Sequence, residues 1–231
     1  DHGMPWALSK WALYSSGTKT PLIVRWPGKI QPGLYNAESV LSVVDIAPTL
    51  AELCRIPAME QVDGLSFAEV LVGSSAKWTR RSAFSCFNYM NNAPELDELF
   101  TTYPADLYQQ MEQYRPSRAL NTRRYTYVWN GWSDGETTQP PTMGSEVPAL
   151  LRKNADKAED GSYPDYAERA EFILQRVPEE LYDVKKDPGC FNNLVHNPEY
   201  QAVLKSFQRE MQTLLEETSD HELDNYSRLT Q

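Results

Sequence analysis

The chain has 231 residues, 41% apolar and 23% charged, enough for one large or two small soluble domains with a real core. Its 32 acidic residues against 22 basic ones give a net charge of −10, which excludes nonspecific nucleic-acid binding through a clustered basic surface. Any anion it binds must therefore meet a local basic pocket rather than a global field.

No apolar run reaches membrane-spanning length, and no secretory leader pattern is present. The three cysteines, Cys54, Cys86 and Cys190, have no metal-binding spacing and read as small buried hydrophobes.

The chain opens on Asp1-His2-Gly3, a carboxylate beside an imidazole and then a glycine that allows a sharp turn or a close approach. An aromatic-rich segment follows around Lys10, with Trp6, Leu8, Trp11, Leu13 and Tyr14. Trp11 and Leu13 read as core packing, and Met4–Trp6 equally as packing or as the wall of a pocket. Leu22-Ile23-Val24 is an apolar, β-branched run closed by Pro27-Gly28, the pattern of a buried strand ended by a turn. Ser39–Val44 is a short strand or the entry to a helix. Asp45 can cap a helix over Ile46–Leu53, with Pro48 in its first turn. Asp63 or Ser66 can cap another running to about Val72.

Ser82–Phe87 is a candidate strand. Asn88–Arg115 is partly helical on Leu107, Met111 and Tyr114, and Asn88, Tyr89 and Asn92 read as solvated polar residues in preference to sugar contacts. Arg118–Asn121 and Tyr125–Trp129 flank Thr122-Arg123-Arg124 as the arms of a hairpin, its two arginines solvated in the turn. Gly131–Pro148 is a long loop, and Glu146–Lys153 and Tyr166–Gln175 read as helical. Glu180–Val184 is a strand, followed by a turn at Lys186–Gly189. Asn197 caps a helix that begins at Pro198. Its apolar set, Val203, Leu204, Phe207, Met211, Leu214 and Leu215, lies on one face at helical spacing. The tail from Ser219 is polar and reads as frayed.

Asp1-His2-Gly3, Lys10 and Pro21–Gly28, taken in this order, resemble the sulfatases of the alkaline-phosphatase superfamily. In that family an Asp-Asn or Asp-His pair followed by Gly binds calcium, a nearby Lys or Arg holds the sulfate, and a strand reading PLIVRWPG comes next. The resemblance spans Asp1–Pro57 and returns at Glu180–Asn193, where Glu-Leu-Tyr-Asp-Val-Lys-Lys-Asp-Pro matches the family's C-terminal strand and turn. Asp1-His2-Gly3-Met4-Pro5-Trp6, Lys10 and Leu13-Tyr14 look most like the N-sulfoglucosamine sulfohydrolases (heparan N-sulfatases).

The resemblance implies a formylglycine nucleophile made from Cys or Ser in a C/S-x-P-x-R motif. No such motif follows Cys54, Cys86 or Cys190, so the chain looks like the C-terminal half of a sulfatase that begins inside the active site. By resemblance Asp1 is a calcium ligand, His2 lies at the metal edge or the sulfate, and Lys10 contacts the sulfate. Calcium takes about six to eight oxygen ligands, so the N-terminal half of the same enzyme must complete the site. The implied substrate is a sulfated glycan or a small sulfate ester, and the implied compartment is periplasmic, secreted or lysosomal.

The fold expected is α/β and alkaline-phosphatase-like. Residues 1–115 would carry the last part of the catalytic domain, at the edge of a central mixed sheet. Residues 116–231 would form a subdomain with a small antiparallel sheet on the terminal helix. Two other readings fit the same residues: a phosphodiesterase or phosphonate hydrolase of the same superfamily, and a non-catalytic module that only packs or binds.

Overall fold

The structure is a computed structural model that describes residues 8–10, 12–57, 60–73, 78–89, 114–136, 149–150, 153 and 166–229. Its centre is a four-stranded antiparallel sheet in sequence order: β1 (Ser82–Tyr89), β2 (Arg115–Thr122), β3 (Tyr125–Asn130) and β4 (Glu179–Asp183). The three strands expected for the small sheet are present, and Ser82–Tyr89 joins them as an edge. The sheet thus draws on residues from both sides of position 115.

The hairpin between β2 and β3 turns on Thr122, whose hydroxyl oxygen accepts from the amides of Tyr125 (2.8 Å) and Arg124 (3.2 Å). Its two arginines are not simply solvated. Arg124 pairs with Asp183 at 2.8 Å, and Arg123 pairs with Glu38.

Strand alternation sends side chains to two different buried layers. On one face Leu120, Tyr127, Trp129 and Leu181 meet the helix α5 (Gln201–Glu217) through Leu204, Phe207, Met211 and Leu215. Phe207 stacks on Tyr127 with centroids 5.9 Å apart and meets Tyr125 edge-on at 6.3 Å. Asn197 caps a 3-10 turn, Pro198–Tyr200, that leads directly into this helix: its Oδ1 accepts from the Glu199 amide at 3.0 Å, with Pro198 at the first position. On the other face Ala119, Val128 and Tyr182 meet Leu13, Tyr14 and Cys190. Phe172 of the helix α4 (Tyr166–Leu174) packs beside them. The small sheet is therefore buried on both sides, and the N-terminal segment forms part of its second cover.

The polar tail does not fray. Leu223–Leu229 forms a helix, α6, and Tyr226 is fully buried against Trp129, their rings edge-on at 5.1 Å. Just before it, Asp220 takes both nitrogens of a two-pronged contact from Arg118, at 2.8 and 2.9 Å, and Arg118 is 1% exposed. This buried pair, rather than hydrophobicity alone, anchors the tail. Burial pushes the Asp220 carboxyl up, but the hydrogen bonds and charge of Arg118 outweigh it and hold the group below the ordinary carboxylate range.

The first third differs most from expectation. Pro21–Trp26 is not a strand: Ile23 is 90% exposed, and Leu22 and Val24 also face outward. A strand exists only with a ladder partner, and among the described residues this run has none. The turn after it does form, with Trp26 accepting from Lys29 at 3.1 Å and Gly28 at φ 74°. The helix α2 (Ile46–Leu53) and the short α3 (Ala68–Leu71) follow. Asp45 precedes α2 as expected, but its side chain makes no capping bond to that helix. Fully buried, it accepts from the amides of Ser42 and Leu65 at 2.8 Å each and pairs with Arg80 at 2.6 Å. Ser66 accepts from the Ala68 amide at 3.3 Å, so α3 starts later than Asp63. Cys54 and Cys86 are exposed rather than buried, and only Cys190 fits the buried reading. No helix among the described residues is long and apolar enough to cross a membrane.

Two outcomes test this packing. Phe207→Ala should cost about 3–5 kcal/mol in a urea melt, the range for a buried aromatic, and a loss below about 1 kcal/mol would place that helix face in solvent. Because the Asp220 carboxyl lies lower in the folded chain than in the unfolded one, its contribution is full above about pH 4 and lost as pH falls through the folded value. Asp220→Asn should therefore flatten the acid limb of stability below about pH 4, while lowering stability at pH 7. An unchanged acid limb would show that the pair carries no pH-dependent stability.

Candidate functional site

Of the residues singled out by sequence, Asp1, His2, Met4–Trp6, Trp11 and Asn92 lie outside the described residues, as does the side chain of Tyr89. Lys10 is described, and what holds it is specific. It is half-buried at the second position of a tight turn in which the Ala12 amide donates to the Ser9 carbonyl at 3.1 Å. Leu8, at the start of this turn, has left-handed backbone at φ 65°. For a branched side chain that conformation costs about 1–3 kcal/mol and persists only when neighbours enforce it.

The neighbours are in the short helix α1 (Ser15–Thr18), which folds back on the turn. The Ser9 hydroxyl donates to the Ser16 carbonyl at 2.8 Å, and the Ser16 hydroxyl donates to the Leu8 carbonyl at 2.5 Å. Gly17 lies so close that a β-carbon there would overlap the carbonyl oxygens of both Ser9 and Ala12. Glycine is required here for approach and not for torsion.

Beyond the turn, Leu13 and Tyr14 are buried on the sheet. The Tyr14 hydroxyl donates to Glu180 Oε2 at 2.6 Å. Glu180 is fully buried on β4, and it also accepts from the Tyr182 hydroxyl at 2.8 Å and from Asn130 Nδ2 at 2.7 Å. Burial first, and then the Glu180 charge and hydrogen bond, raise the Tyr14 phenol well above its usual value, against an opposing pull from Arg176. The hydroxyl is therefore a constant donor at physiological pH. Arg176 is itself 4% exposed, with its guanidinium 5.2 Å from the centre of the Tyr14 ring.

Other candidates resolve into structural roles. Asn88 accepts from Arg118 Nη1 at 2.7 Å and so belongs to the buried ion-pair group. Burial, with Asp187 and Glu180 nearby, pushes the Cys190 thiol up to about 12, so it stays neutral and is no nucleophile. Among the described residues no three His, Cys, Asp or Glu side chains come together as a metal cluster. A cleft of about 470 Å³ lies between β1 and α5, lined by Arg80, Ser82 and Phe84 and by a face of α5 that includes Arg209 and Glu217. It contains none of the N-terminal residues.

The comparisons with known proteins point one way. Residues 3–115 match the family described as N-sulphoglucosamine sulphohydrolase, C-terminal. Over 95% of its length the chain is 28% identical to an ulvan-active sulfatase of Formosa agariphila. Sulfatases are thus what this chain resembles over nearly its whole length. It is also 22% identical over 95% of its length to the human N-sulphoglucosamine sulphohydrolase. It spans 32% of the length of the Formosa relative and 41% of the human one. In fold it is similar to the phosphonate monoester hydrolase SpPMH from Silicibacter pomeroyi, with a TM-score of 0.55 at 20% identity. That alignment covers 93% of this chain and 32% of the other, and it carries the alkaline-phosphatase-like fold.

The motif singled out Lys10, while Tyr14 entered with the aromatic segment, Glu180 only as a strand residue, and Gly17 not at all. The one available signal was Gly17 within Ser15-Ser16-Gly17-Thr18, a small-residue run directly after a predicted core segment. Gly17→Ala should destabilise the chain by about 1–3 kcal/mol, the cost of forcing an extra carbon into a packed site. A thermal melt equal to wild type would mean that α1 does not press on the Lys10 turn.

Proposed function

We propose that the chain is the C-terminal part of a sulfatase that removes sulfate from a sulfated glycan, with a heparan-type N-sulfoglucosamine as the first candidate substrate. The observation that carries this reading is the Lys10 turn. A basic side chain at the family's sulfate-contact position stands on a strained, doubly braced loop fixed to the buried face of a sheet. Binding sites need their charged groups held in place before the ligand arrives, because reorganisation then costs nothing in the transition state. The glycan assignment is supported by the family matched over residues 3–115 and by the sulfatase relatives.

In this reading the Lys10 ammonium sits against the sulfuryl oxygens and offsets the charge that shifts as the S–O or S–N bond breaks. Asp1 offers one hard carboxylate and His2 a softer imidazole, so the chain's own donors supply only a fraction of a calcium shell. Calcium, where bound, would polarise the sulfuryl group. The nucleophile, a formylglycine by family resemblance, and most of the metal ligands would come from the N-terminal part of the same enzyme. Support for that partner is the surface of residues 22–72, where Leu22, Ile23, Tyr35, Val43, Ile56 and Val72 are all exposed. Apolar area on that scale is normally covered. The compartment proposed, periplasmic, secreted or lysosomal, follows the family resemblance.

Two measurements test the reading in the complete enzyme. Lys10→Ala should lower kcat/KM by roughly 10²–10³, the cost of one preorganised electrostatic donor, with small aryl sulfates as well as with glycans. Near-normal kinetics would make Lys10 an ordinary surface lysine. Asp1→Ala should weaken calcium binding and abolish turnover without unfolding the protein, and unchanged calcium dependence would remove Asp1 from the ligand set.

A further inference from the structure

Glu180 is a buried carboxylate that the proposed chemistry does not use. It sits on β4, completely enclosed, with three hydrogen-bond donors: Tyr14, Tyr182 and Asn130. Two of these, Tyr182 and Asn130, belong to the sheet itself and satisfy the carboxylate locally. The third arrives from 166 positions away in the sequence, on the segment that carries Lys10. A buried carboxylate is costly unless its oxygens are paired, so what each of its partners does here bears on its role.

The geometry around Tyr14 gives Glu180 a specific role. Only four positions separate Lys10 from Tyr14, and the intervening backbone is not free. The Ser9–Ala12 turn bond, the two serine bonds to α1 and the contact at Gly17 tie residues 8–10 and 12–18 into one rigid unit. The Gly17 and Thr18 amides donate to the Tyr14 carbonyl at 2.8 and 3.0 Å, so Tyr14 is bolted into that same unit. Apolar packing of Leu13 and Tyr14 would keep the unit on the sheet but would let it slide, because hydrophobic contact is non-directional. The Tyr14–Glu180 bond, 2.6 Å and charge-assisted, fixes its position along the strand. The Arg176 guanidinium over the Tyr14 ring limits the remaining tilt.

We propose that Glu180, acting through Tyr14, is the positioning residue for Lys10, setting where the Lys10 turn stands relative to the sheet. The inference rests on the reading of Lys10 as a sulfate contact. It adds that the register of this contact is set by one buried hydrogen bond on the far side of the turn.

The test is a double-mutant cycle in the complete enzyme with a small aryl sulfate, combining Tyr14→Phe with Lys10→Ala. Tyr14→Phe keeps the ring and its packing and removes only the hydroxyl. It should lower kcat by on the order of 10-fold with little change in KM, less than the 10²-fold that a 1 Å misplacement can cost. In the Lys10→Ala background the same change should cost less than about 2-fold, since nothing is left to position. Tyr127→Phe serves as control: it removes the same kind of bond, from a buried tyrosine to Glu179 at 2.5 Å, on the opposite face of the sheet. It should leave kcat near wild type. An equal loss for Tyr14→Phe with and without Lys10, or an equal loss for Tyr127→Phe, would reduce the bond to general stability and overturn the proposal. So would a Tyr14→Phe enzyme with normal kcat while Lys10→Ala is impaired. Normal kinetics for Lys10→Ala would overturn the sulfate-contact reading itself, and the positioning role with it.

Discussion

A single buried carboxylate ties this structure together. Glu180 projects from β4 into the layer between the sheet and the N-terminal segment, where water cannot reach it. Its charge is tolerated because its oxygens accept from two phenols and an amide, each of which comes from a different part of the chain. Asn130 extends the group further, since its own Oδ1 accepts from the Ser117 hydroxyl at 2.9 Å. The N-terminal turn, β2, β3 and β4 thereby share one hydrogen-bonded centre. Each member lost leaves an unpaired group in a dry site, which is why such networks enforce one arrangement.

Around that centre the sheet divides its work by face. Leu120, Tyr127, Trp129 and Leu181 bury apolar area against α5 and α6, and that burial favours the folded state. Ala119, Val128 and Tyr182 present a shallower surface to Leu13, Tyr14 and Cys190. The deep face holds the fold together, and the shallow face holds the candidate site in place. The segment over residues 21–72 follows a third logic. Asp45 organises it locally through Ser42, Leu65 and Arg80, yet many of its large apolar side chains, Ile23, Tyr35, Val43 and Ile56 among them, are exposed. Its local order rests on polar bonds, and exposed apolar area on this scale is unusual for a free surface.

Much of the sheet was legible in the sequence. Tyr125, Tyr127 and Trp129 alternate with Thr126 and Val128, and the set Leu204, Phe207, Met211 and Leu215 repeats at helical spacing, so period alone located β3 and α5. Asn197-Pro198 marked the start of the last long helix for the same local reason. What was not legible depends on partners distant in sequence. Leu22–Val24 has the composition of a strand, but composition does not supply a neighbouring strand. The tail after Ser219 reads as polar because its anchor is a charge, Asp220, whose value depends on Arg118 102 positions earlier. The motif around Lys10 pointed to the candidate site. Glu180 was visible only as a strand residue, because nothing local says that a tyrosine from the other end of the chain will meet it.

The claim on which the rest depends is that the Lys10 turn is part of the folded core and not a loose end. Amide hydrogen exchange reads this directly in the chain itself. The Gly17 and Thr18 amides, bonded to the Tyr14 carbonyl, should open with a free energy within about 1 kcal/mol of that for the Asn130 amide at the end of β3. Exchange of Gly17 and Thr18 at rates near those of an unprotected chain, with Asn130 still protected, would contradict the account.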